Sequence, residues 1–207
     1  MDKVDIVYYI NLDHRTDRRE EFLEWITESG FSLAKVQRIQ AVYVPVKGYL
    51  GCLLSHMKTL EAFILSPHTN CIIFEDDYTP LDVANFWTNI EKIFQSKVRF
   101  DVVLCAYCML KSEETEHSFL HKVHASVTTS GYIITKEYAP ILLEHWHSCL
   151  CLCMREENAG RCSSQYTADN YWQELMPIHN WYTFYPRLGI QRPSYSDIEQ
   201  ENLERNV

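Results

Sequence analysis

Residues 71–77 read Cys-Ile-Ile-Phe-Glu-Asp-Asp, so an apolar run leads directly into three carboxylates. The apolar run predicts a short buried strand. Side chains that follow such a strand lie at the carboxyl edge of a sheet, where open α/β folds bind ligands. Neighbouring carboxylates repel each other, and a divalent cation that prefers oxygen ligands, such as Mn²⁺ or Mg²⁺, would remove that conflict. The alternative for Glu75, Asp76 and Asp77 is a solvated acidic turn or a helix N-cap.

The segments around this strand alternate between two kinds of apolar pattern. Apolar, β-branched runs predict strands at residues 4–10, 36–42, 101–106, 127–135 and 182–185. Apolar residues at helical spacing predict helices at residues 17–29, 51–65, 84–94, 137–146 and 168–176. Residues 111–124 are polar and predict an excursion over the surface. Short connections between alternating strands and helices indicate one α/β domain over residues 1–207, with a parallel sheet flanked by helices and a tail that frays from about residue 197.

Composition and charge restrict the function. The chain has 207 residues, 46% of them hydrophobic, and a formal net charge of −9. This content of apolar residues is too high for a disordered chain, and the acidic balance disfavours a nucleic-acid-binding role, which needs basic surface. There is no run of about 18 apolar residues, so no membrane span is expected. The first residues predict no secretory signal, which favours a cytoplasmic location, in a microbe or, for a viral protein, in the host.

The eight cysteines predict reduced thiols rather than a disulfide framework. Cys149, Cys151 and Cys153 alternate along the chain, a spacing that puts them on one face only if they lie in a strand. This spacing lacks the paired CxxC pattern of structural zinc sites. Metal or redox chemistry is therefore not expected at these cysteines.

Polar residues elsewhere could contribute to a site at the carboxyl edge of the sheet. Arg15, Arg18 and Arg19 follow the first strand, and guanidinium groups match phosphate oxygens. Interleaved acidic residues make a surface salt-bridge network the alternative. Ser55 and His56 form a polar pair in an otherwise apolar helix, where a hydrogen-bonded core histidine is equally common. The turn Ser130-Gly131-Tyr132 could bring backbone close to a ligand, or could be a plain turn.

Taken in order along the chain, these groups resemble glycosyltransferase family 25, the family of lipopolysaccharide-biosynthesis glycosyltransferases and collagen β-galactosyltransferases. The matching residues are Tyr9 to Asp13 with Arg15 and Asp17 to Arg19, Gly51-Cys52 with Ser55-His56, Phe74 to Asp77, Ser130 to Ile134, Ala168-Asp169, and Pro186 with Gln191 and Ser196 to Ile198. The resemblance extends over essentially the whole chain. Residues 113–124 and the stretch around Cys149 match nothing typical of the family.

The resemblance implies a GT-A-like α/β fold with a mixed, mostly parallel central sheet flanked by helices. It also implies a nucleotide-diphosphate sugar as donor, usually a UDP-hexose, a Mn²⁺ or Mg²⁺ cofactor, and inversion at the anomeric carbon. The expected activity moves a hexose, from UDP-galactose or UDP-glucose, to a hydroxyl of a glycan, a glycolipid or a hydroxylysine. No nucleic-acid partner is expected.

The resemblance also implies a role for each matching residue. Asp77 would be the main metal ligand, with Asp76 and Glu75 acting through metal, ribose or water. The nucleotide and donor would be bordered by Asn11, Leu12, Arg15, Arg18, Ser55, His56, Gly131 and Tyr132. Asp169 would be the general base, because it begins a helix on the acceptor side. His179 would be a further metal ligand, or a packing histidine beside Trp181.

Two other functions stay open. A nucleotidyltransferase would share the metal and the sheet, but it would need a Gly-rich basic loop after the first strand, and residues 11–19 contain no glycine. A catalytically silent carbohydrate-binding domain could stack sugars on aromatic residues such as Trp146, Trp172, Trp181 and Tyr182. The complete acidic triplet argues against this second alternative.

Overall fold

The computed structural model of the chain describes residues 3–161, 163, 165–192, 194–196 and 201–203. Its strands are β1 (Ile6–Asn11), β2 (Val36–Gln40), β3 (Asn70–Glu75), β4 (Tyr78–Pro80), β5 (Val102–Leu104), β6 (Cys108–Glu114), β7 (Leu120–Val127), β8 (Gly131–Thr135), β9 (Trp181–Phe184), β10 (Gly189–Gln191), β11 (Ser194–Ser196) and β12 (Glu201–Leu203). Its α-helices are α1 (Thr16–Glu28), α2 (Gly48–Leu65), α3 (Phe86–Gln95), α4 (Ala139–Asn158) and α5 (Ala168–Tyr171). Short 3₁₀ turns precede β2 and follow α5.

The central sheet, as far as the described residues form it, has eight strands in the order β2-β1-β3-β8-β5-β9-β7-β6. β1 pairs in parallel with β2 and β3, and β5 pairs in parallel with β9. Only β7 and β8 run against the other six strands. The parallel pairs follow from the crossover helices α1 and α2, which return the chain to the same end of the sheet. The prediction of a mixed, mostly parallel sheet flanked by helices is confirmed.

Helices cover both faces of this sheet. Apolar residues of α1 and α3, such as Phe22 and Ile90, pack on one face. Apolar residues of α2 and α4, such as Leu60 and Trp146, pack on the other. All six residues of β1 are consequently buried, as the continuous apolar run predicted for a strand that is covered on both sides.

The polar segment at residues 111–124 was predicted as a surface excursion, and this prediction is wrong. Most of the segment forms the antiparallel hairpin of β6 and β7 at one edge of the central sheet. Leu120 and Val123 of β7 face the core, whereas most of their neighbours are partly exposed. An edge hairpin needs few apolar residues, and the polar composition therefore concealed it.

The last long helix is longer than predicted, and it contains the alternating cysteines. α4 continues to Asn158, twelve residues past the predicted end. Cys149 and Cys153 lie one helical turn apart and are buried, whereas Cys151 is exposed. The three thiols would share one face only in a strand, and because this segment is a helix, Cys151 lies on a different face from Cys149 and Cys153. The cysteines that the structure describes are free thiols.

Within the described ranges, two antiparallel ribbons lie outside the central sheet, and neither was predicted. β4 pairs with β10 immediately after the acidic triplet, and β11 pairs with β12. Residues 201–203 therefore form a strand within the tail that was predicted to fray. Residues 197–200 and 204–207, including the motif residues Asp197 and Ile198, lie outside the described residues.

A tyrosine ring fixes the chain just after the triplet. A Cβ atom on Gly131 would lie 2.7 Å from the Tyr78 ring, and one on Gly189 would lie 2.3 Å from it. Both glycines therefore make room for Tyr78. The backbone approach predicted at Gly131 exists, but its partner is this ring.

The helices offer no candidate for a membrane span: across the described part of the chain, none combines the necessary length and apolarity.

Candidate active site

A cleft that is open to solvent lies at the carboxyl edge of β1 and β3. The two strands are parallel, so the residues that follow them meet at this edge. The loop after β2 and the first turns of α2 complete the lining. The lining residues are Ile10, Leu12, Arg18, Ala41, Val42, Tyr43, Val44, Gly48, Gly51, Cys52, Ser55, His56, Glu75, Asp76, Asp77 and Gln191.

The acidic triplet lies in the wall of the cleft and is paired with an arginine of α1. Asp76 and Asp77 are 8% and 6% exposed, so the solvated acidic turn is excluded. Arg18 Nη1 donates to Asp76 Oδ1 at 2.9 Å and to Asp77 Oδ2 at 3.1 Å. Burial and the charges of Glu75 and Asp76 nevertheless raise the pKa of Asp77 to about 7. The arginine therefore offsets only part of the negative charge gathered here.

The carboxylate oxygens differ in what they can still bind. Asp77 Oδ2 accepts hydrogen bonds from Arg18 and from Gln191 Nε2, the latter at 3.3 Å. Asp77 Oδ1 is buried and has no hydrogen-bond partner among the described residues. Both oxygens of Asp76 are engaged, Oδ1 by Arg18 and Oδ2 by Asn11 Nδ2 at 2.7 Å. A hard cation can therefore bind Asp77 through Oδ1. Asp76 was predicted as a second metal ligand, but both of its carboxylate oxygens already accept hydrogen bonds.

The residues predicted near the nucleotide divide into two groups. Leu12 and Arg18 line the cleft. Asn11 is 1% exposed and holds the chain around the triplet, since it donates to Asp76 and to the carbonyl of Arg15, and Arg38 Nε donates to its Oδ1. Arg15 makes an ion pair with Asp17 at 2.9 Å and is not among the lining residues. The predicted arginine cluster is thus divided, with Arg18 turned inward and Arg15 paired at the surface.

Ser55 and His56 both lie at the cleft, with different partners. Ser55 Oγ donates to the carbonyl of Gly51 at 2.6 Å and accepts from the backbone N–H of Val42 at 2.8 Å. This pair of hydrogen bonds fixes the loop after β2 against α2. His56 is fully buried, with Nε2 3.3 Å from Glu75 Oε1 and Nδ1 3.1 Å from the Tyr132 hydroxyl.

Glu75 is held in its ionised form by neighbouring donors. Thr129 Oγ1 donates to Glu75 Oε1 at 2.6 Å, and His56 approaches the same oxygen. Burial by itself raises the pKa of Glu75, but these hydrogen bonds and the charge of Arg18 outweigh burial and lower the pKa below its ordinary value. Glu75 and Asp77 are therefore carboxylates with opposite pKa shifts, only two residues apart.

Gly131 and Tyr132 do not reach the cleft. Gly131 contacts Tyr78, as described above. Tyr132 is fully buried in β8, where burial raises the pKa of its hydroxyl well above the usual value. Its hydroxyl approaches His56 from behind the cleft wall. Tyr132 thus lies behind His56, and the structure does not bring it to the cleft, where it was predicted to border the nucleotide-sugar donor.

Asp169, the predicted base, lies in the first turn of α5 and is half-buried. Its Oδ1 accepts from Thr167 Oγ1 at 2.6 Å, and its Oδ2 accepts from the backbone N–H of Thr128 at 3.1 Å. Thr128 has a φ of 79°, an unusual value for a β-branched residue. Thr128 Oγ1 in turn donates to Gln191 Oε1 at 3.4 Å, and Gln191 reaches Asp77. Asp169 is therefore outside the cleft lining but connected to it through Thr128, by its backbone N–H and its hydroxyl, and through the Gln191 side chain.

His179 lies at the other end of the sheet from the carboxylates. It precedes β9, and the strand register aligns Trp181 with Val102 and, through β8, with Cys71 at the start of β3. Its ring packs edge-on against Tyr138, with 5.1 Å between ring centroids. The structure does not bring His179 to Asp77, and the packing alternative describes its surroundings.

Sequence reasoning did not assign a site role to Gln191 or to Thr128. Gln191 was noted only as part of a motif, and Thr128 only as part of a strand. Their contacts join segments of the chain that lie more than 40 residues apart, and no local pattern encodes such contacts.

The mixed sheet, with buried carboxylates at its carboxyl edge, defines a GT-A-like α/β domain. The family model for glycosyltransferase family 25 (LPS biosynthesis protein) matches residues 46–153, which is more than half of the chain. The chain belongs to this family of glycosyltransferases. Among curated proteins, none matches the chain.

Solved structures with a similar fold include glycosyltransferases and nucleotidyltransferases. A glycosyltransferase involved in the glycosylation of the major capsid of PBCV-1 is 11% identical, with 94% of this chain and 95% of that chain covered and a TM-score of 0.49. A197 from STIV is 13% identical, with coverages of 87% and 81% and a TM-score of 0.47. UDP-glucose pyrophosphorylase complexed with UDP-glucose is 8% identical, with coverages of 87% and 90% and a TM-score of 0.49.

Proposed function

We propose that this glycosyltransferase moves a hexose from a nucleotide-diphosphate sugar, with UDP-galactose or UDP-glucose as donor, to a hydroxyl of a glycan, a glycolipid or a hydroxylysine. The reaction inverts the anomeric carbon. The observation that carries the proposal is the buried Asp77 carboxylate in the cleft wall, whose Oδ1 has no partner among the described residues. A buried carboxylate oxygen of this kind is costly unless a ligand completes its coordination.

The cleft provides separate surroundings for the two ends of the donor. Leu12, Val42 and Val44 offer apolar contacts for a nucleoside at one side. Arg18 lies beside the triplet and supplies positive charge where a diphosphate would bind. Mn²⁺ or Mg²⁺ on Asp77 would add the charge that stabilises the departing diphosphate. The donor would thus bind with its sugar towards Asp77 and Gln191.

Asp169 is the proposed general base. The acceptor oxygen attacks the anomeric carbon as the bond from that carbon to the diphosphate oxygen breaks, and the nucleoside diphosphate leaves with the bonding electrons. The acceptor proton passes to the Asp169 carboxylate, which Thr128 and Thr167 hold in place. Each Asp169 oxygen has a second lone pair for this proton.

Replacing the base tests this assignment. Asp169→Asn keeps an acceptor for one of the two hydrogen bonds but cannot take up a proton, so kcat should fall about 10²–10⁴-fold with little change in donor affinity. Glu174→Gln, which neutralises an exposed acid on the same segment, is the matched control. Steady-state kinetics and calorimetry with UDP measure the two effects. Unchanged kcat in Asp169→Asn would remove this residue from the mechanism.

A donor-cleavage assay tests the function as a whole. The purified chain is incubated either with UDP-galactose or UDP-glucose, or with UTP and a hexose 1-phosphate, in each case with Mn²⁺ or with a chelator. Release of UDP from the nucleotide sugar supports glycosyl transfer. Release of pyrophosphate from UTP in the presence of the sugar phosphate supports nucleotidyl transfer. If neither product forms, the result supports a domain that only binds carbohydrate.

Asp77→Asn should abolish Mn²⁺-dependent UDP binding, whereas Glu137→Gln, at an exposed position, should preserve it. Undiminished binding by Asp77→Asn would refute the proposed metal ligand.

A further inference from the structure

A second group of potential metal ligands lies in the same cleft, and it differs chemically from the Asp77 carboxylate. Cys52 and His56 are four residues apart on α2, so they lie on the same face of the helix. Glu75 faces them from the end of β3. One ligand atom from each of the three residues lies within 4.8 Å of the others. The group therefore combines a sulfur, a nitrogen and an oxygen ligand in a space that one ion could occupy.

The spacing is close to that of a tetrahedral zinc site. Zinc bonds of about 2.0–2.3 Å place neighbouring ligand atoms roughly 3.3–3.6 Å apart. The distance from His56 Nε2 to Glu75 Oε1 is already 3.3 Å. The Cys52 sulfur must move closer by at most about 1.5 Å, which a change in side-chain torsion provides. All three residues line the cleft, so an ion can enter from solvent and keep a fourth, open position on that side.

The surrounding residues suit such a site. His56 can present the Nε2 lone pair if its proton resides on Nδ1, which lies 3.1 Å from the Tyr132 hydroxyl oxygen. Hydrogen bonding of the second ring nitrogen is the usual way in which proteins orient a metal-bound histidine. Thr129 donates to Glu75 Oε1 and also lies 3.9 Å from the Cys52 sulfur. Tyr132 and Thr129 thus form a ready outer layer around the three ligands.

We propose that Cys52, His56 and Glu75 form a binding site for a Zn²⁺-class ion, separate from the oxygen site at Asp77. Thiolate and imidazole ligands favour Zn²⁺ and Co²⁺, whereas Mg²⁺ and Mn²⁺ favour carboxylate and water. Binding forms a metal–sulfur bond and releases the thiol proton of Cys52 to solvent. The proposal does not depend on the donor or the reaction, because it rests only on these three side chains and their neighbours.

Cobalt is the probe that tests the site. Metal-free, reduced protein is titrated with Co²⁺, and thiolate ligation gives a near-ultraviolet sulfur-to-cobalt absorption band. We expect one Co²⁺ per chain, displaced by Zn²⁺ but not by equimolar Mg²⁺. Cys52→Ser should lose the band, whereas Cys151→Ser, which changes an exposed thiol on α4, should keep it. Circular dichroism verifies that each variant is folded, and Cys52→Ala replaces Cys52→Ser if the hydroxyl disturbs folding.

A second variant separates the outer layer from the ligands. Tyr132→Phe should keep the cobalt band and weaken Zn²⁺ binding about 10–100-fold in calorimetry, because it removes the hydrogen bond that orients His56. The proposal is overturned if the unmodified protein shows no stoichiometric band, or if Cys52→Ser retains the band in full. Neither measurement uses a sugar donor, so failure here leaves the proposed transferase activity untouched.

Discussion

Asp77 shows most clearly how surroundings change a residue. The carboxyl is buried beside two other carboxylates, and its pKa of about 7 compares with 3.8 for the free side chain. Between about pH 4 and pH 7 the folded chain therefore keeps a proton that the unfolded chain has released. The contribution of Asp77 to the free energy of unfolding must therefore fall as pH rises through that interval, because at this group the unfolded state binds fewer protons than the native state. This direction is opposite to that of an ordinary salt-bridged aspartate.

Replacing the carboxyl by an amide should remove this pH dependence. The free energy of unfolding of Asp77→Asn, relative to that of the unmodified chain, should increase from pH 4.5 to pH 7.5. The gain is at most about 4 kcal/mol, since each pKa unit corresponds to about 1.4 kcal/mol. Urea denaturation without added metal, at pH 4.5, 6.0 and 7.5, measures it. A difference between the two proteins that stays constant with pH would contradict the raised pKa.

At the scale of elements, one lysine ties the edge hairpin to the rest of the molecule. Lys122 of β7 donates through Nζ to the carbonyls of Met176 and His179, at 2.9 and 2.6 Å. Its ammonium also lies 5.7 Å from the centre of the Tyr182 ring. Burial lowers the pKa of Lys122, but these partners satisfy the charged group. Lys122 is one of the polar residues that made this segment resemble a surface excursion in the sequence, and in the structure it holds the hairpin against the segment that precedes β9.

Removal of this charged group should loosen the attachment. Lys122→Met keeps most of the aliphatic length but removes the side-chain donor to the Met176 carbonyl and one of the two donors to the His179 carbonyl, which also accepts from the Trp181 backbone N–H. The chain should therefore lose about 1–3 kcal/mol in the free energy of unfolding. Lys111→Met, on the neighbouring strand and exposed, should cost less than about 0.5 kcal/mol. Urea denaturation of both variants measures the losses. Equal losses would show that the buried contacts of Lys122 contribute nothing.

The geometry of α4 gives a further test at this scale. A helix buries Cys149 and Cys153 and exposes Cys151, whereas a strand would place all three thiols on one face. A thiol reagent added to the native protein should therefore modify Cys151 well before the other two. Peptide mass spectrometry after timed labelling gives the three rates, and labelling in urea is the control for intrinsic reactivity. Similar rates for all three in the native protein would contradict the helix.

At the scale of the whole molecule, donor binding should appear as stability. A ligand present at 100 times its Kd stabilises the native state by about 2.7 kcal/mol. For a chain of this size that corresponds to a rise in Tm of about 5–10 °C. UDP-galactose or UDP-glucose with Mn²⁺ should give this rise, and Asp77→Asn should not. Equal shifts with GDP-mannose, or no shift with any nucleotide sugar, would contradict the proposed donor.

Much of the fold follows from local patterns. The strands of the parallel part, β1, β2 and β3, were predicted from apolar runs, and α1, α2 and α3 from helical spacing. The β6–β7 hairpin and the ribbon of β4 and β10 were not, because their strands are short or polar and are held by pairing with distant segments. Local propensity is a weak guide where the stabilising contacts are not local.

The same division applies to the site. The sequence by itself determined that Glu75, Asp76 and Asp77 end a buried strand at a ligand-binding edge, because a run of apolar residues and its polar end are adjacent in the chain. Only the tertiary structure decided which of their oxygens is open, that Arg18 faces them, that Gly131 accommodates Tyr78, and that His179 lies at the far end of the sheet. Those outcomes depend on contacts between residues tens of positions apart, and such contacts form only when the strands take their places.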